Sequence, residues 1–577
     1  MSASLRSTPP PHWLLPDYPE GANRQLQQEL GIGPLLAQAL VARGLTDPAE
    51  ADKFLRADLE DLHDPRLLPD FDAAAKEILA AIERKEQIYV HGDYDVDGVS
   101  SSAIFARFLR ALGGKVDVRV PHRTKDGYGV HMRAVEYAKQ IGTKLFLTCD
   151  TGVTAIEQVE AAKAAGMRVV LTDHHEPGET LPAAHAVVNP HRHDSQYPFS
   201  DLCGAGVVFK LCAGLTQEMG HPLNGFYRGF LDLVTLGTVA DVMPLVGENR
   251  ILVRHGLPVL RQTQKKGLLE LFKHCRFGAD GRIRAREVGF QIGPRLNAVG
   301  RMDDAALALD LLLTQDAAEA TRLAQTLEEH NKERRDLQDQ AVKATIEMVK
   351  STGRDQDPVI LVGEVGWHHG LIGLIAGKLT EQFNRPAFVV SLDPETGTAK
   401  GSARSVPGFH VKEALNFVEE VAVGGGHELA GGFSMSPDNL EQLRALLLDF
   451  SANVGFTPGP KTHRTDGIAG PADCTVQNIL ELERLEPTGN SNPAPVFAAM
   501  DLLVRDSKLL GSTGEHRRFD LEDENGRVTA KAWRAPESWH EIPVGSRVHA
   551  LFEPEINTFN GRSSAEWKLA DVVEITE

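Results

Sequence analysis

The sequence predicts an α/β protein built in several units: a parallel-sheet domain, a long helical connector, a second α/β domain and a C-terminal β-barrel. Three observations predict it. From about residue 86 short apolar runs alternate with helical patterns, the signature of a parallel sheet with helices on both faces. Residues 303 to 350 are rich in Ala, Leu, Glu, Gln, Lys and Arg and contain no Pro or Gly, which predicts long helical structure. Residues 463–577 carry alternating runs broken by Asn-Gly at 525–526 and 560–561, which are hairpin signals.

The 577 residues are too many for one hydrophobic core, so several domains are expected. Residues 1–85 read as a mostly helical segment with Pro-rich edges and no evident chemistry. The parallel-sheet domain, 86–302, opens with QIYV, VSSSAIFARFLRAL, VDVRV and AVEYAKQI, then continues with KLFLT, AIEQVEAAKAA, RVVLT and HAVVN. Asp93, Asp95 and Asp97 follow its first strand, Asp150 follows LFLTC, and Asp173, His174 and His175 follow RVVLT. Each cluster falls beyond the C-terminal end of a strand, the edge at which open α/β sheets bind ligands. Downstream, LDLVTLGTVADVMPL predicts a buried helix that ends near Pro244 and carries Asp241 close to its end. A buried carboxylate is costly alone, so a cationic partner is expected for Asp241. The connector spans 303–355. The second α/β unit, 356–456, has runs VILV, LIGLIAGKLTEQF, AFVVSL and LEQLRALLLDF with two glycine clusters, and the barrel occupies 463–577.

Composition narrows the class. Hydrophobic residues make up 42%, charged residues 24%, and the mean hydropathy is -0.22, as in soluble globular proteins. No apolar run reaches the ~18 residues of a membrane span, and MSASLRSTPPPHWLLP lacks the regions of a signal peptide. A cytoplasmic, membrane-free protein is expected. The five cysteines are scattered and never in CxxC spacing, so they read as reduced and structural. With 61 basic against 80 acidic residues the net charge is -19, and any polyanion contact must come from local basic patches.

Residues 91–98, HGDYDVDG, place three carboxylates at alternate positions. Alone, such a loop reads as a solvated turn. Together with Asp150, His174 and Asp241 it reads as one wall of a cleft in which carboxylates repel unless cations neutralise them. Oxygen-rich sites with one or two imidazoles favour Mn²⁺ or Mg²⁺ over structural zinc. One carboxylate can bridge two ions ~3.5–4 Å apart, a pair that polarises a phosphoryl oxygen and generates a hydroxide nucleophile. After a strand, Asp95 and Asp97 are expected to project differently and serve different ions, with Gly98 turning the chain into the next helix. In an extended segment His174 and His175 point to opposite sides, so His174 is assigned as a ligand. His175 is then the group that contacts substrate or shuttles a proton, near its ordinary pKa of ~6.5. Without the acids, His-His reads as a pair of turn residues.

GDYDVDG, CDTG, Asp173-His174-His175 and GTVADVMPL resemble, in order and spacing, the four motifs of the DHH phosphoesterase superfamily. GPRLNAVGRM, GWHHGLIGLIAGKL, KGSARS, GGGHELAGG and GNSNPAPVF extend the resemblance to the RecJ family of exonucleases within it. The resemblance implies a DHH domain joined by the long helix to a DHH-associated domain, with a C-terminal OB-fold. It implies a two-metal phosphodiesterase that degrades single-stranded DNA 5′→3′ to mononucleotides in repair and recombination. Carried over by position, the metal ligands are Asp95, Asp97, Asp150, His174 and Asp241, with Asp150 the bridge and His175 the catalytic histidine. Asp93 matches the first acid of the motif and is either a ligand or a support behind one. His91 matches a ligand of related pyrophosphatases and keeps an open role. Thr151 stands where the family commonly has Asn. A monomer is expected, with a single-strand-binding protein and a RecQ-type helicase as protein partners. The alternative is a DHH phosphodiesterase acting on short oligonucleotides or cyclic dinucleotides, for which the barrel would be superfluous.

A 5′-phosphate is best held by guanidinium and hydroxyl donors. Arg123, Arg301, Ser402 and Arg404 are the candidates, with Arg295 a fifth; the alternative for Arg295 and Arg301 is a pin between linker and sheet. His427 in GGGHELAGG can donate to a phosphate, and its glycines permit either close approach of a strand or a tight turn. Trp533, Phe552, Phe559 and Trp567 are candidates for base stacking, with barrel core as the plainer reading.

Overall fold

The computed structural model describes residues 9–575 except 18, 20, 123–125, 279–280, 303–304, 394, 512–513 and 560. Arg123 lies outside the described residues, as do the side chains of Arg301 and Phe559.

The first sheet is wholly parallel, in the order β2-β1-β3-β4-β5, from β1 (Gln87–His91), β2 (Lys115–Arg119), β3 (Leu145–Thr148), β4 (Arg168–Thr172) and β5 (Ala186–Val188). Strand alternation feeds two cores. Val90, Leu147 and Val170 pack on the face covered by α1 (Val96–Ala111), α2 (Gly204–Glu218), α3 (Leu223–Ala240) and α4 (Gly247–Arg261), while Tyr89, Phe146 and Val169 serve the opposite face. The expected sheet with helices on both faces is therefore present. Its central strands β1, β3 and β4 are adjacent, so their C-terminal ends open onto one place.

A π-helical turn, Val288–Ile292, leads into α5 (Gly293–Met302). After a short helix, Ala306–Leu313, the 35-residue α6 (Ala317–Ser351) runs to the second α/β unit, with Asp316 accepting from Glu319 N as its cap. That unit holds β6 (Ile360–Val365), α7 (Ile372–Phe383), β7 (Ala387–Asp393), β8 (Thr398–Arg404), β9 (Ala422–Gly426) and β10 (Ala430–Met435). Its sheet runs β9-β10-β8-β7-β6, parallel only between β6 and β7. The glycine clusters are thus strands rather than loops, with His427 in the turn joining β9 to β10.

The barrel adds the edge strand β11 (Gly467–Ile468) to β12 (Phe497–Leu510), β13 (His516–Glu522), β14 (Arg527–Ala532), β15 (Arg547–Phe559) and β16 (Arg562–Glu574). The last five close on themselves through pairing of β12 with β15. Asn525-Gly526 turns β13 into β14, where Asp523 Oδ1 accepts from both backbone N–H groups at 2.8 Å. No helix among the described residues is long and apolar enough to cross a membrane.

The helices at Ala22–Leu30, Pro34–Ala42 and Pro48–Arg56 share one core with this barrel, in which Leu26, Leu35, Leu36 and Leu40 pack with Phe497, Phe519 and Trp567. Trp13–Leu14 pairs in parallel with His463–Arg464, and the Arg43 guanidinium bridges Asp466 and Asn492. Arg250 of α4, 1% exposed, ties in the parallel-sheet domain: it donates to Phe54 O at 2.9 Å, Leu485 O at 2.7 Å and Arg484 O at 3.0 Å. Burial, and then the charge of Arg254, lower its pKa to about 9. Leu36→Ala is expected to cost ~2–5 kcal/mol and to raise hydrogen exchange in β12 and β15 more than in β1 and β3. Exchange that changes only within the N-terminal helices would contradict a shared core.

Candidate active site

Three chain turns beyond β1, β3 and β4 and the C-terminal end of α3 build the cleft. Asp95 caps α1, its Oδ1 accepting from Asp97 N at 3.0 Å and Gly98 N at 3.1 Å. Asp97 sits in the first helical turn, 1% exposed, and accepts from Gly204 N at 2.6 Å and Ala205 N at 2.9 Å, the first residues of α2. The two acids diverge because one is a cap and the other lies inside the helix, not because a strand alternates. Gly98 is required by contact rather than by the turn: a Cβ there would lie 2.5 Å from the Asp93 carbonyl oxygen.

Asp150 is 2% exposed and holds a left-handed backbone, φ 62°. A Cβ on Gly204 would come within 2.5 Å of its own Cβ, so the N-terminus of α2 can approach only as glycine. His174 Nε2 lies 3.1 Å from Asp150 Oδ1, 3.7 Å from Asp241 Oδ2 and 3.8 Å from Asp97 Oδ2. Asp93, Asp95 and Asp150 offer ligand atoms within 4.8 Å of one another; so do Asp97, His174 and Asp241, and also Asp150, His174 and His175. Asp150 stands in two of the three groupings.

The donor set fits divalent cations. Asp150 Oδ1 is buried without a hydrogen bond. Burial, then the charges of Asp97, Asp95, Asp93 and Asp241, push the Asp150 carboxyl well above the usual range. Burial and Asp97 raise Asp241 to about 8. No Lys or Arg among the described residues is the expected cationic partner of Asp241: the His174 imidazole lies 3.7 Å away with its pKa lowered by burial, and the charge of His175 works against the neighbouring acids.

Asp173 organises the histidines. It accepts from Val153 N at 2.9 Å, His174 N at 2.8 Å and His175 N at 3.2 Å, and its Oδ1 lies 2.8 Å from His175 Nδ1. Burial opposes its ionisation, but the hydrogen bond and charge of His175 outweigh burial and hold it below the usual range. Because both histidine N–H groups point at one carboxylate, the segment is a turn, and the imidazoles lie side by side with centroids 4.4 Å apart rather than on opposite sides. Burial works against charge on His175 too, yet Asp173 prevails and raises it to about 9, away from its ordinary value. Tyr128 Oη, 3.0 Å from the same Nδ1, closes the group. Asn189 Nδ2 donates to His175 O at 2.8 Å, and His191 Nδ1 donates to His174 O at 2.5 Å.

In the second unit, Arg404 Nη1 donates to Ala403 O at 2.8 Å and lies 3.4 Å from Ser402 Oγ. Among the described residues no carboxylate is within ion-pair distance of Arg404, and burial lowers its pKa. The first turn of α7 faces the pair, since a Cβ on Gly373 would lie 3.1 Å from Ser402 Oγ. On one side Ser402 pairs with Gly432 and Gly432 with Gly425, so β10 and β9 raise no side chain beside it, while on the other it pairs with Val389 of β7.

Family models match three stretches: the DHH family N-terminal domain at 87–238, the DHHA1 domain at 356–453 and the RecJ OB domain at 465–571. The chain is 36% identical to the single-stranded-DNA-specific exonuclease RecJ of Bacillus subtilis, over 95% of this chain and 70% of that protein. It is 34% identical to RecJ of Dickeya dadantii over 92% of this chain and 94% of that one. The chain belongs to the RecJ family. The crystal structure of Thermus thermophilus RecJ in complex with Mn²⁺ superposes with a TM-score of 0.84 at 30% identity, covering 98% of this chain and 80% of that one.

Several expected contacts of a RecJ chain are corrected by the geometry. Arg295 is a pin, not a phosphate donor: its Nε meets Glu328 Oε2 at 2.6 Å, Nη1 donates to Gln291 O and Nη2 to His274 O. His91 is 3% exposed and belongs to none of the three groupings; burial lowers its pKa to about 4, a neutral core imidazole 3.3 Å from Tyr89 Oη. Phe552 and Trp567 stack on each other at 3.6 Å inside the barrel and cannot stack on bases, whereas Trp533 is 53% exposed. His427 is exposed at its hairpin tip. Tyr128, Asn189 and Asp173 as an orienting group were not singled out; the signals were a tyrosine between two glycines and a polar pair after β5.

The raised carboxyls set a pH dependence. A folded pKa of about 8 for Asp241 against ~4 unfolded means that the folded state binds more protons between these values, so metal-free stability falls as pH rises through that window. The melting temperature of chelator-treated protein is expected to drop between about pH 5 and about pH 8, and saturating Mn²⁺ to remove most of the drop. Gly204→Ala, which presses on Asp150, is expected to lower Mn²⁺ affinity by about 10- to 100-fold in calorimetry.

Proposed function

We propose that the chain is a Mn²⁺- or Mg²⁺-dependent exonuclease that degrades single-stranded DNA from its 5′ end to mononucleotides, in repair and recombination. The observation that carries this reading is the convergence of five aspartates and His174 on one cleft, with Asp150 common to two ligand groupings. In the family, RecJ of Bacillus subtilis is a single-stranded-DNA-specific exonuclease and the Thermus protein binds Mn²⁺. Asp93, Asp95 and Asp150 would hold one ion; Asp97, Asp150, His174 and Asp241 the other. Bound there, the ions supply electrophilic activation of the phosphodiester and a water of lowered pKa.

The chain's own groups do the rest. His175, kept protonated by Asp173, is placed to donate to a non-bridging phosphate oxygen or to the departing 3′-oxygen. Tyr128, at the same Nδ1 as Asp173, helps to fix the ring. Ser402, Arg404 and the first turn of α7 would take the 5′-phosphate, which sets the polarity. The barrel, through exposed groups such as Trp533, would hold the strand beyond the scissile bond. An enzyme confined to dinucleotides would gain nothing from it. The five cysteines are free, which fits a reducing cytoplasm. A monomer, supplied with strands by a RecQ-type helicase and a single-strand-binding protein, completes the reading.

Asp150→Ala is expected to abolish Mn²⁺-dependent release of label from 5′-labelled single strands, with duplex and chelator controls inactive. Retained activity would remove the bridging role. Arg404→Ala is expected to slow 5′-phosphorylated strands about 10- to 100-fold and 5′-hydroxyl strands much less; equal losses would remove Arg404 from the end pocket.

A further inference from the structure

A small half-enclosed cavity of about 110 Å³ lies between the two ends of this site. Ala240, which precedes the ligand Asp241, lines one side, and Leu374, which follows Gly373 of the Ser402–Arg404 pocket, lines the other. Gly289 and Gly293 form a floor without side chains, Asn297 a polar edge, and Arg334 of α6 the back wall. Arg334 is 9% exposed. Its Nη2 donates to Asn331 Oδ1 at 3.0 Å and Nη1 to Gln338 Oε1 at 3.3 Å, both on its own helix, while Nε is buried without a partner. Among the described residues no carboxylate is within ion-pair distance of it, although Arg295 one helix away is fully neutralised by Glu328.

A guanidinium taken out of water costs several kcal/mol unless an anion offsets it. Folding supplies no carboxylate within ion-pair distance here, only the more distant charge of Asp339 on the same helix, and bracing α6 would need none of the charge. The cavity is roomy enough for a phosphate group, and its glycine floor lets a backbone come close. We infer that Arg334 is a substrate-binding residue, holding one phosphodiester of the single strand between the metal cleft and the 5′-phosphate pocket. This rests on the exonuclease reading above and adds to it a subsite on the connector helix. The long helix would then act as more than a spacer, since it carries the group that fixes how far the strand threads past Asp241 before its end is caught.

The test uses the full chain and 5′-phosphorylated oligonucleotides carrying one neutral methylphosphonate at successive linkages. Wild type is expected to degrade the natural strand and to slow by about 10- to 100-fold when one particular linkage near the 5′ end is neutral. Arg334→Ala is expected to slow on the natural strand by a similar factor and to lose the extra penalty at that linkage, while keeping the penalties elsewhere. Arg334→Lys, which keeps the charge but not the fork, should fall between them; it carries the test if the alanine variant does not fold. Penalties that are the same at every linkage in wild type and variants overturn the subsite. A wild type that leaves the natural strand intact in Mn²⁺ overturns instead the exonuclease reading, and the subsite with it.

Discussion

Mutual repulsion of five carboxylates in one buried cleft is the constraint around which the catalytic half is organised. Two of these acids, and Asp173 behind the histidines, are met by backbone N–H groups rather than by lysine or arginine: Asp95 by the first turn of α1, Asp97 by the first turn of α2, Asp173 by Val153 and both histidines. Helix N-termini offer such donors with a favourable dipole and no side chain to compete for metal. A parallel sheet places helix N-termini at the same edge as its strand ends, so this architecture supplies the donors where the acids emerge. What the N–H groups leave unmet, most plainly Asp150 Oδ1, is left for cations.

Substrate recognition follows the opposite rule. A chain with net charge -19 repels polyanions in general, so each local attraction must be strong and placed. Arg404 and Arg334 have no carboxylate within ion-pair distance among the described residues and are partly or wholly withdrawn from water, whereas Arg295 and Arg168 are paired with glutamates. Arg295 and Arg168 hold the frame through carboxylates and Arg250 through backbone carbonyls, whereas Arg404 and Arg334 are the arginines proposed to meet an anion.

Most acids of the cleft were legible because they follow continuous apolar strands, and strand order brings β1, β3 and β4 together; Asp241 was legible as an acid at the end of an apolar helix. The surroundings of His175 were not, since Asp173 curls its own two successors into a turn and Tyr128 arrives from the segment after β2. The strands β8, β9 and β10 were obscured by their glycines, which strands disfavour; here Gly401 leaves room for the Phe433 ring packed against it. Arginine at 295 and aromatics at 552 and 567 have the composition of a binding surface and the location of a core. Only packing separates the two.

The first helices and the last barrel share one core although almost the whole chain separates them. During synthesis Leu26, Leu35, Leu36 and Leu40 leave the ribosome long before Phe497 or Trp567 exists, and at ~5–20 residues per second they wait for tens of seconds with their apolar faces uncovered. The nascent chain therefore has to be shielded by a chaperone or by provisional packing. A message truncated anywhere before the barrel yields a product whose opening segment stays adhesive, which marks it for disposal.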